Sequence, residues 1–224
     1  MDIGQLRRTA YGRLLVAALF LGVLFFLPAG TFDYWEAWVY LGVLLIPMFA
    51  TSSYLLRRDP ELLARRMRQN EPQAAQQLIV TVFAVMFTAI LLVPGLDYRY
   101  GWSSVPAPLV IAGDALVLLG YVMFVLVMRE NRYASRTVEV EKNQKVITTG
   151  PYALIRHPMY LAATLIYVAS PLALGSYWGL IPAVILPVLL GVRIRGEERF
   201  LHEHLEGYTA YTKKTRHRLI PGIW

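Results

Sequence analysis

Long apolar runs alternate along this chain with short, strongly charged stretches. Residues 14–27 are apolar and follow Arg7, Arg8 and Arg13, and residues 35–56, 78–96 and 106–128 form three further runs. Those three are each close to the roughly 20 residues that cross the hydrocarbon core of a bilayer. A charged start before an apolar run also fits a signal peptide. Here, however, Pro28-Ala29-Gly30-Thr31 leads into Phe32, Tyr34 and Trp35 without a small-x-small cleavage site, so the run reads as a first span with aromatics at the far interface. Pro47 lies inside the second run and has to be accommodated by a neighbouring helix.

The stretch after the second run is Arg57-Arg58-Asp59-Pro60-Glu61, followed by Leu62, Leu63 and Met67 with Arg65, Arg66 and Arg68 among them. Asp59 as N-cap with Pro60 at the first helical position predicts a short, basic, amphipathic helix on the membrane surface; a solvated linker is the alternative. A short loop with Asp97, Tyr98, Arg99, Tyr100 and Trp102 then precedes the fourth run, which carries Asp114 in its first half. A carboxylate inside a membrane is either a functional group or, near a helix N-terminus, a complement to the helix dipole, and the second reading is preferred here.

Residues 129–155 are mostly polar, and residues 161–190 are apolar but broken by Pro171, Gly175, Ser176, Gly179, Pro182 and Pro187. That punctuation predicts a hairpin of two short helices, and a charged tail, helical until Pro221, follows from Arg193. The expected fold is therefore all-α: a polytopic helical membrane protein of four spans plus a broken C-terminal helical hairpin. Residues 1–128 supply the spans and the interfacial helix; residues 129–224 supply a loop, the hairpin and a C-terminal helix, and hold the candidate chemistry.

Composition supports the bilayer: 56% of residues are hydrophobic and the mean hydropathy is +0.45, against roughly 45–50% apolar residues in soluble domains. The net charge of +7 would suit nucleic acid in a soluble protein, but in a chain this apolar it marks loops facing an anionic leaflet. Placing both termini and the loops after the second and fourth spans on one side gathers all of the 22 lysines and arginines except Arg99. By the positive-inside rule that side, termini included, is cytoplasmic. The absence of cysteine removes disulfides, thiolate nucleophiles and sulfur-ligated metals.

Two polar clusters carry candidate chemistry. The first is Gly150-Pro151-Tyr152 with Arg156-His157-Pro158-Met159-Tyr160. Pro158 lacks an N–H and suits the start of a helix, which leaves Arg156 and His157 at a helix mouth fit for a carboxylate or phosphate. Tyr160, three residues on, faces the same side as His157. The same residues also fit a membrane boundary made of a snorkelling Arg, a solvated His and an interfacial Tyr. The second cluster is Arg193-Ile194-Arg195-Gly196-Glu197-Glu198, with Tyr208 and Tyr211 beyond it. Helical spacing pairs Arg193 with Glu197 and Arg195 with Glu198. Such pairs are either exposed and worth about 0–1 kcal/mol, or roofed by apolar helices, where Glu can orient a nucleophile and Arg can hold an acidic substrate. No Gly-x-Gly occurs, which removes dinucleotide, P-loop and glycine-rich methyltransferase loops, and no Gly-x-Ser-x-Gly elbow occurs. His202 and His204 are two apart and point to different helix faces, so no metal site is expected.

On Gly150-Pro151-Tyr152, Arg156-His157-Pro158-x-Tyr160, the broken hairpin, Glu197-Glu198, and Tyr208 and Tyr211 in a tail ending near Pro221, the stretch from Glu139 to Trp224 resembles the isoprenylcysteine carboxyl methyltransferase family. That family is part of a wider group of integral-membrane methyltransferases that also contains phospholipid N-methyltransferases. The resemblance implies S-adenosyl-L-methionine bound between the hairpin and the C-terminal helix at the cytoplasmic face, and a lipophilic or lipidated acceptor entering from the bilayer. It implies cofactor contacts from Gly150, Tyr152, Arg156, His157, Tyr160, Tyr208 and Tyr211, and catalytic roles for Arg193, Arg195, Glu197 and Glu198. The chain departs from the family at Leu205-Glu206-Gly207-Tyr208, where members active on prenylcysteine often have Phe-Gly before the first tail Tyr. The acceptor it implies is the carboxylate of a prenylcysteine-like or isoprenoid molecule, with a phospholipid amine or a small thiol as alternatives. Outside methyl transfer, a small transporter or assembly factor and a membrane reductase using NADPH are the competing readings. No nucleic acid or metal partner is expected.

Overall fold

The architecture is that of a computed structural model, which describes residues 2–67, 74–133, 140 and 143–224; Arg68 and Glu139, named above, lie outside them. Among the described residues the chain forms α1 (Ile3–Ala29), α2 (Trp35–Arg58), α3 (Pro60–Arg66), α4 (Ala74–Tyr100), α5 (Ala107–Glu130), α6 (Pro158–Ala173), α7 (Leu180–His204) and α8 (Tyr208–Lys214), with a 3-10 turn at Gly150–Ala153 and no strand. The four expected spans are all present: α1, α2, the Thr81–Tyr100 part of α4, and α5 are long and apolar enough to cross a membrane.

Differences from the expected boundaries have local causes. Helix α1 starts before its arginines because the Asp2 side chain accepts from Gly4 N–H and caps it. Asp97 to Tyr100, expected in a loop, form the last turn of α4. The second arm of the hairpin is not short. Pro182 is the third residue of α7, where a missing N–H has no intrahelical acceptor to lose, and the helix runs on past Pro187 through the charged Arg193–Glu198 segment. The tail is not helical to Pro221: helix stops at His204, turns at Gly207 and stops again at Lys214.

Helix α5 packs most closely against α6. A β-carbon added at Gly113 would lie 2.6 Å from the backbone nitrogen of Ala173, and one at Gly120 would lie 3.0 Å from the carbonyl oxygen of Ala162. Small residues are what allow backbones to approach in a membrane. At one end of the bundle Leu6 and Ala10 of α1, Leu55 of α2, Leu62 and Leu63 of α3 and Met128 of α5 share an apolar cluster, with Met159 of α6 against it. At the other end buried Asp97 accepts from the Ser103 N–H at 2.7 Å and the Ser103 hydroxyl at 2.6 Å, and also from the Ser176 hydroxyl. That carboxylate pins the hairpin turn to the end of α4.

Two expectations shift here. Helix α3 starts as predicted, with Asp59 accepting from Leu62 N–H at 3.1 Å and Pro60 at its first position, but its apolar face docks onto the bundle instead of facing lipid. Asp114 is the eighth residue of α5, beyond the first turn to which a dipole effect extends. Both of its carboxylate oxygens are buried with no hydrogen-bond partner among the described residues.

Candidate active site

The mouth of α6 is built by the chain pairing with itself. Pro158 begins the helix, and the preceding backbone is extended enough for Arg156 and His157 N–H to donate to the carbonyls of His217 and Arg218, both at 2.9 Å. The tail beyond α8 is thereby laid across the helix entrance. Under it lies Glu198 from the charged end of α7. One of its oxygens, Oε1, accepts from Arg156 Nε at 2.7 Å and lies 3.3 Å from His157 Nε2, while Oε2 accepts from Arg218 Nε at 2.7 Å. The anion that the sequence places at this helix mouth is therefore supplied by the chain itself.

Burial alone would raise the Glu198 carboxyl. The hydrogen bonds from His157 and Arg218, with the charges of His157 and Arg156, outweigh it and hold the group down at about 2. Glu198 is thus an ionised clasp at neutral pH and not a proton carrier. Arg156 completes the clasp by donating from Nη1 to the carbonyls of Thr215 and Arg216, each at 3.1 Å. These contacts fasten the tail across the mouth of α6.

Glu197 has a second environment. Its Oε2 accepts from the Tyr160 hydroxyl at 2.6 Å, and that hydroxyl accepts from Arg193 Nε at 3.0 Å. Tyr160 therefore stands between the two members of the expected Arg193–Glu197 pair. His157 Nδ1 lies 3.9 Å from the other Glu197 oxygen, and the His157 and Tyr160 rings are 5.7 Å apart, so both side chains lie against Glu197. The Glu197 side chain is 24% exposed against 6% for Glu198, so of the adjacent carboxylates Glu197 alone opens outward.

The remaining wall comes from the 3-10 turn and α8. The Tyr211 hydroxyl donates to the Tyr152 carbonyl at 2.7 Å, and Asn131 Nδ2 donates to the Tyr152 hydroxyl at 2.9 Å. Burial is the main reason that Tyr152 and Tyr211 are each pushed up to about 12, so both act as neutral hydroxyls. Gly150 has φ of +56°, and a β-carbon there would meet the Glu130 side chain at 3.0 Å; it shapes the turn without reaching the cluster. Tyr208 is buried beside Tyr211, and its hydroxyl has no hydrogen-bond partner among the described residues. Burial, and then the charges of Glu198 and Glu197, raise that hydroxyl too.

Of the expected residues, Arg156, His157, Tyr160, Arg193, Glu197 and Glu198 converge on one cluster, with Tyr152, Tyr208 and Tyr211 around it. Arg195 does not join them. Two residues on from Arg193, it points to the opposite face of α7 and is exposed, and the carboxylate expected to pair with it, Glu198, is engaged by Arg156, His157 and Arg218. Sequence reasoning missed Arg218, Thr215 and Asn131. Their only signal is position near the tyrosines and Pro221, because no motif spacing links residue 198 to residue 218.

The bundle and its cluster define a helical membrane protein with a polar site roofed by its own tail at one end. Residues 109–207, from α5 to the turn after α7, match the phospholipid methyltransferase family. The match starts earlier than the resemblance seen in the motifs and stops just before Tyr208. A search of curated proteins finds no match to the chain.

Proposed function

We propose that the protein transfers a methyl group from S-adenosylmethionine to a lipophilic acceptor at the cytoplasmic membrane interface. The observation that carries this reading is convergence. Arg156 and Glu198, 42 residues apart, and Tyr160 and Glu197, 37 apart, meet in one cluster within the stretch matched to the phospholipid methyltransferase family. The residues suit the cofactor chemically. Glu197 is a partly exposed carboxylate available to a cationic amino or sulfonium group; the Tyr208 hydroxyl is buried with no hydrogen-bond partner among the described residues; and the tyrosine faces suit an adenine ring and a cation.

When bound, S-adenosylmethionine supplies a methyl group activated by its sulfonium. The chain's own part is placement. Tyr160, held between Arg193 and Glu197, fixes the orientation of the open carboxylate, and the Glu198 clasp closes the tail over the site and excludes water. The acceptor we favour is the carboxylate of a prenylcysteine-like or isoprenoid molecule. Its attacking oxygen enters already ionised, so no base has to remove a proton, and Glu198 is in no state to serve as one. A phospholipid amine is the second reading, favoured by the family matched; Glu197 would then be the nearest open carboxylate to receive the amine proton.

Calorimetric titration of detergent-solubilised protein with S-adenosylmethionine tests the proposal. Saturable binding is expected, and folded protein that binds none would overturn it.

A further inference from the structure

Helix α7 carries the Arg193–Glu197 cluster on one face and a second pattern on the other. Ala183, Leu186, Leu190, Arg193 and Ile194 are buried, whereas Ile181, Val184, Ile185, Val188 and Val192 are 43–67% exposed. At about 100° per residue, these five apolar positions fall within a strip roughly 100° wide, and Arg195 and Arg199 fall on the same strip. Both arginines are exposed. Among the described residues neither has a hydrogen bond or an ion pair, not even with Glu203 one turn beyond Arg199. The outward strip of α7 therefore runs from apolar side chains into two unpaired cations.

The helix rise sets the level of those cations. Trp178 stands beside Trp102, with ring centroids 6.4 Å apart, at the end of the bundle marked by Asp97, and tryptophans favour membrane–water interfaces. From Ile181, three residues on, α7 rises about 21 Å to Arg195 and about 27 Å to Arg199. That length matches a hydrocarbon core of roughly 30 Å and brings the guanidinium groups to the phosphates of the leaflet at the basic end. A second tryptophan marks this level: a β-carbon added at Gly191, one turn before Arg195, would lie 3.6 Å from the Trp224 ring.

An anionic phospholipid complements this strip in both halves. Its acyl chain lies along Val184, Val188 and Val192, and two guanidinium groups four residues apart on one helix face take its phosphate in a fork. A zwitterionic lipid offers the same phosphate beside a neutralising cation, so charge favours the anionic one. We propose that Arg195 and Arg199 form a headgroup site for an anionic phospholipid, on the face of α7 opposite the Arg193–Glu197 cluster. Binding of such a lipid requires no turnover and stands apart from the methyl-transfer reading.

The test follows the melting temperature of the detergent-solubilised full chain against increasing phosphatidylglycerol, phosphatidylcholine or inorganic phosphate, from which mass action gives apparent affinities. The chains compared are wild type, Arg195→Gln/Arg199→Gln, Arg195→Lys/Arg199→Lys, and Arg7→Gln/Arg8→Gln, which removes the same charge from exposed positions at the start of α1. All substituted positions are exposed, so each variant should melt cooperatively without lipid. Phosphatidylglycerol should stabilise wild type more than phosphatidylcholine does. Its apparent affinity should fall at least about tenfold in Arg195→Gln/Arg199→Gln, the effect of losing hydrogen bonds to a charged group, fall less in the lysine pair, and be retained in Arg7→Gln/Arg8→Gln. Equal losses in the two glutamine pairs would mean general charge attraction, and a wild-type response to inorganic phosphate as strong as that to phosphatidylglycerol would mean a site for a soluble anion. Either result overturns the proposal, as does an unchanged affinity in Arg195→Gln/Arg199→Gln or equal stabilisation of wild type by the two lipids.

Discussion

Glu197 and Glu198 are adjacent in sequence, yet a helix turns each residue about 100° from the last, and that rotation gives them different neighbours. Glu198 is enclosed by Arg156, His157 and Arg218, and Glu197 is held by Tyr160 with its side chain partly open. Their glutamine variants should therefore fail differently. Glu198→Gln leaves buried Arg156 without its counter-charge, a change that costs about 3 kcal/mol or more of stability. Because the Glu198 carboxyl falls from its ordinary 4.5 to about 2 on folding, its contribution is present above about pH 4.5 and is lost as the pH falls through about 2. Thermal unfolding in detergent should show a gap between wild type and Glu198→Gln that narrows over that window; a gap independent of pH would contradict the ionised clasp. Glu197→Gln keeps an acceptor for Tyr160 and should melt like wild type. Cofactor affinity should change less than turnover, since what is loosened is the orientation of Tyr160 and Arg193. Sequence alone could assign both glutamates to the site but not divide the work between them. The division depends on Arg218 and the tail, which approach from residues with no periodic or motif relation to α7.

The elements were legible to the extent that apolar runs and helix punctuation determine them. The four spans, the start of α3 at Asp59-Pro60 and the start of α6 at Pro158 follow from chemistry local to those residues. The length of α7 does not, because two prolines and a change from apolar to charged residues read as boundaries, whereas one proline lies in the first turn and the charged half is held by contacts with the mouth of α6. The close approach of α5 to α6 was equally hidden, since a glycine in a span looks the same whether it faces lipid or another backbone. Gly113→Ala places a methyl group 2.6 Å from the Ala173 nitrogen and should destabilise the protein by about 1–3 kcal/mol through overpacking. Gly22→Ala in α1, which meets nothing within 4 Å, should be neutral or raise stability by about 0.5–1 kcal/mol through reduced helix entropy cost. Melting temperatures of the two variants in the same detergent decide the matter, and equal shifts would mean that α5 and α6 are not in backbone contact.

For the molecule as a whole, the strongest sequence signal is the sorting of charge, and the packing gives it a geometric counterpart. The start of α1, the end of α2, α3, the end of α5 and the start of α6 meet at one end of the bundle, and they carry the basic loops. Asp97, Ser103 and Ser176 mark the opposite end, near Arg99, the one cation left out of the sorting. If the positive-inside rule holds here, the roofed cluster faces the cytoplasm, where a soluble methyl donor would be available to it while the acceptor approaches along the bilayer. The absence of cysteine makes this directly measurable, because any introduced thiol is the sole target of a maleimide. Gln5→Cys in α1 and Lys214→Cys in α8 lie at the basic end and Trp102→Cys at the other, and all three positions are exposed. In intact cells a membrane-impermeant maleimide should label Trp102→Cys alone, and permeabilisation should expose the other two together. Labelling of Gln5→Cys or Lys214→Cys in intact cells would turn the site to the outer face, away from any cytoplasmic supply of cofactor, and the proposed reaction would fail with the topology.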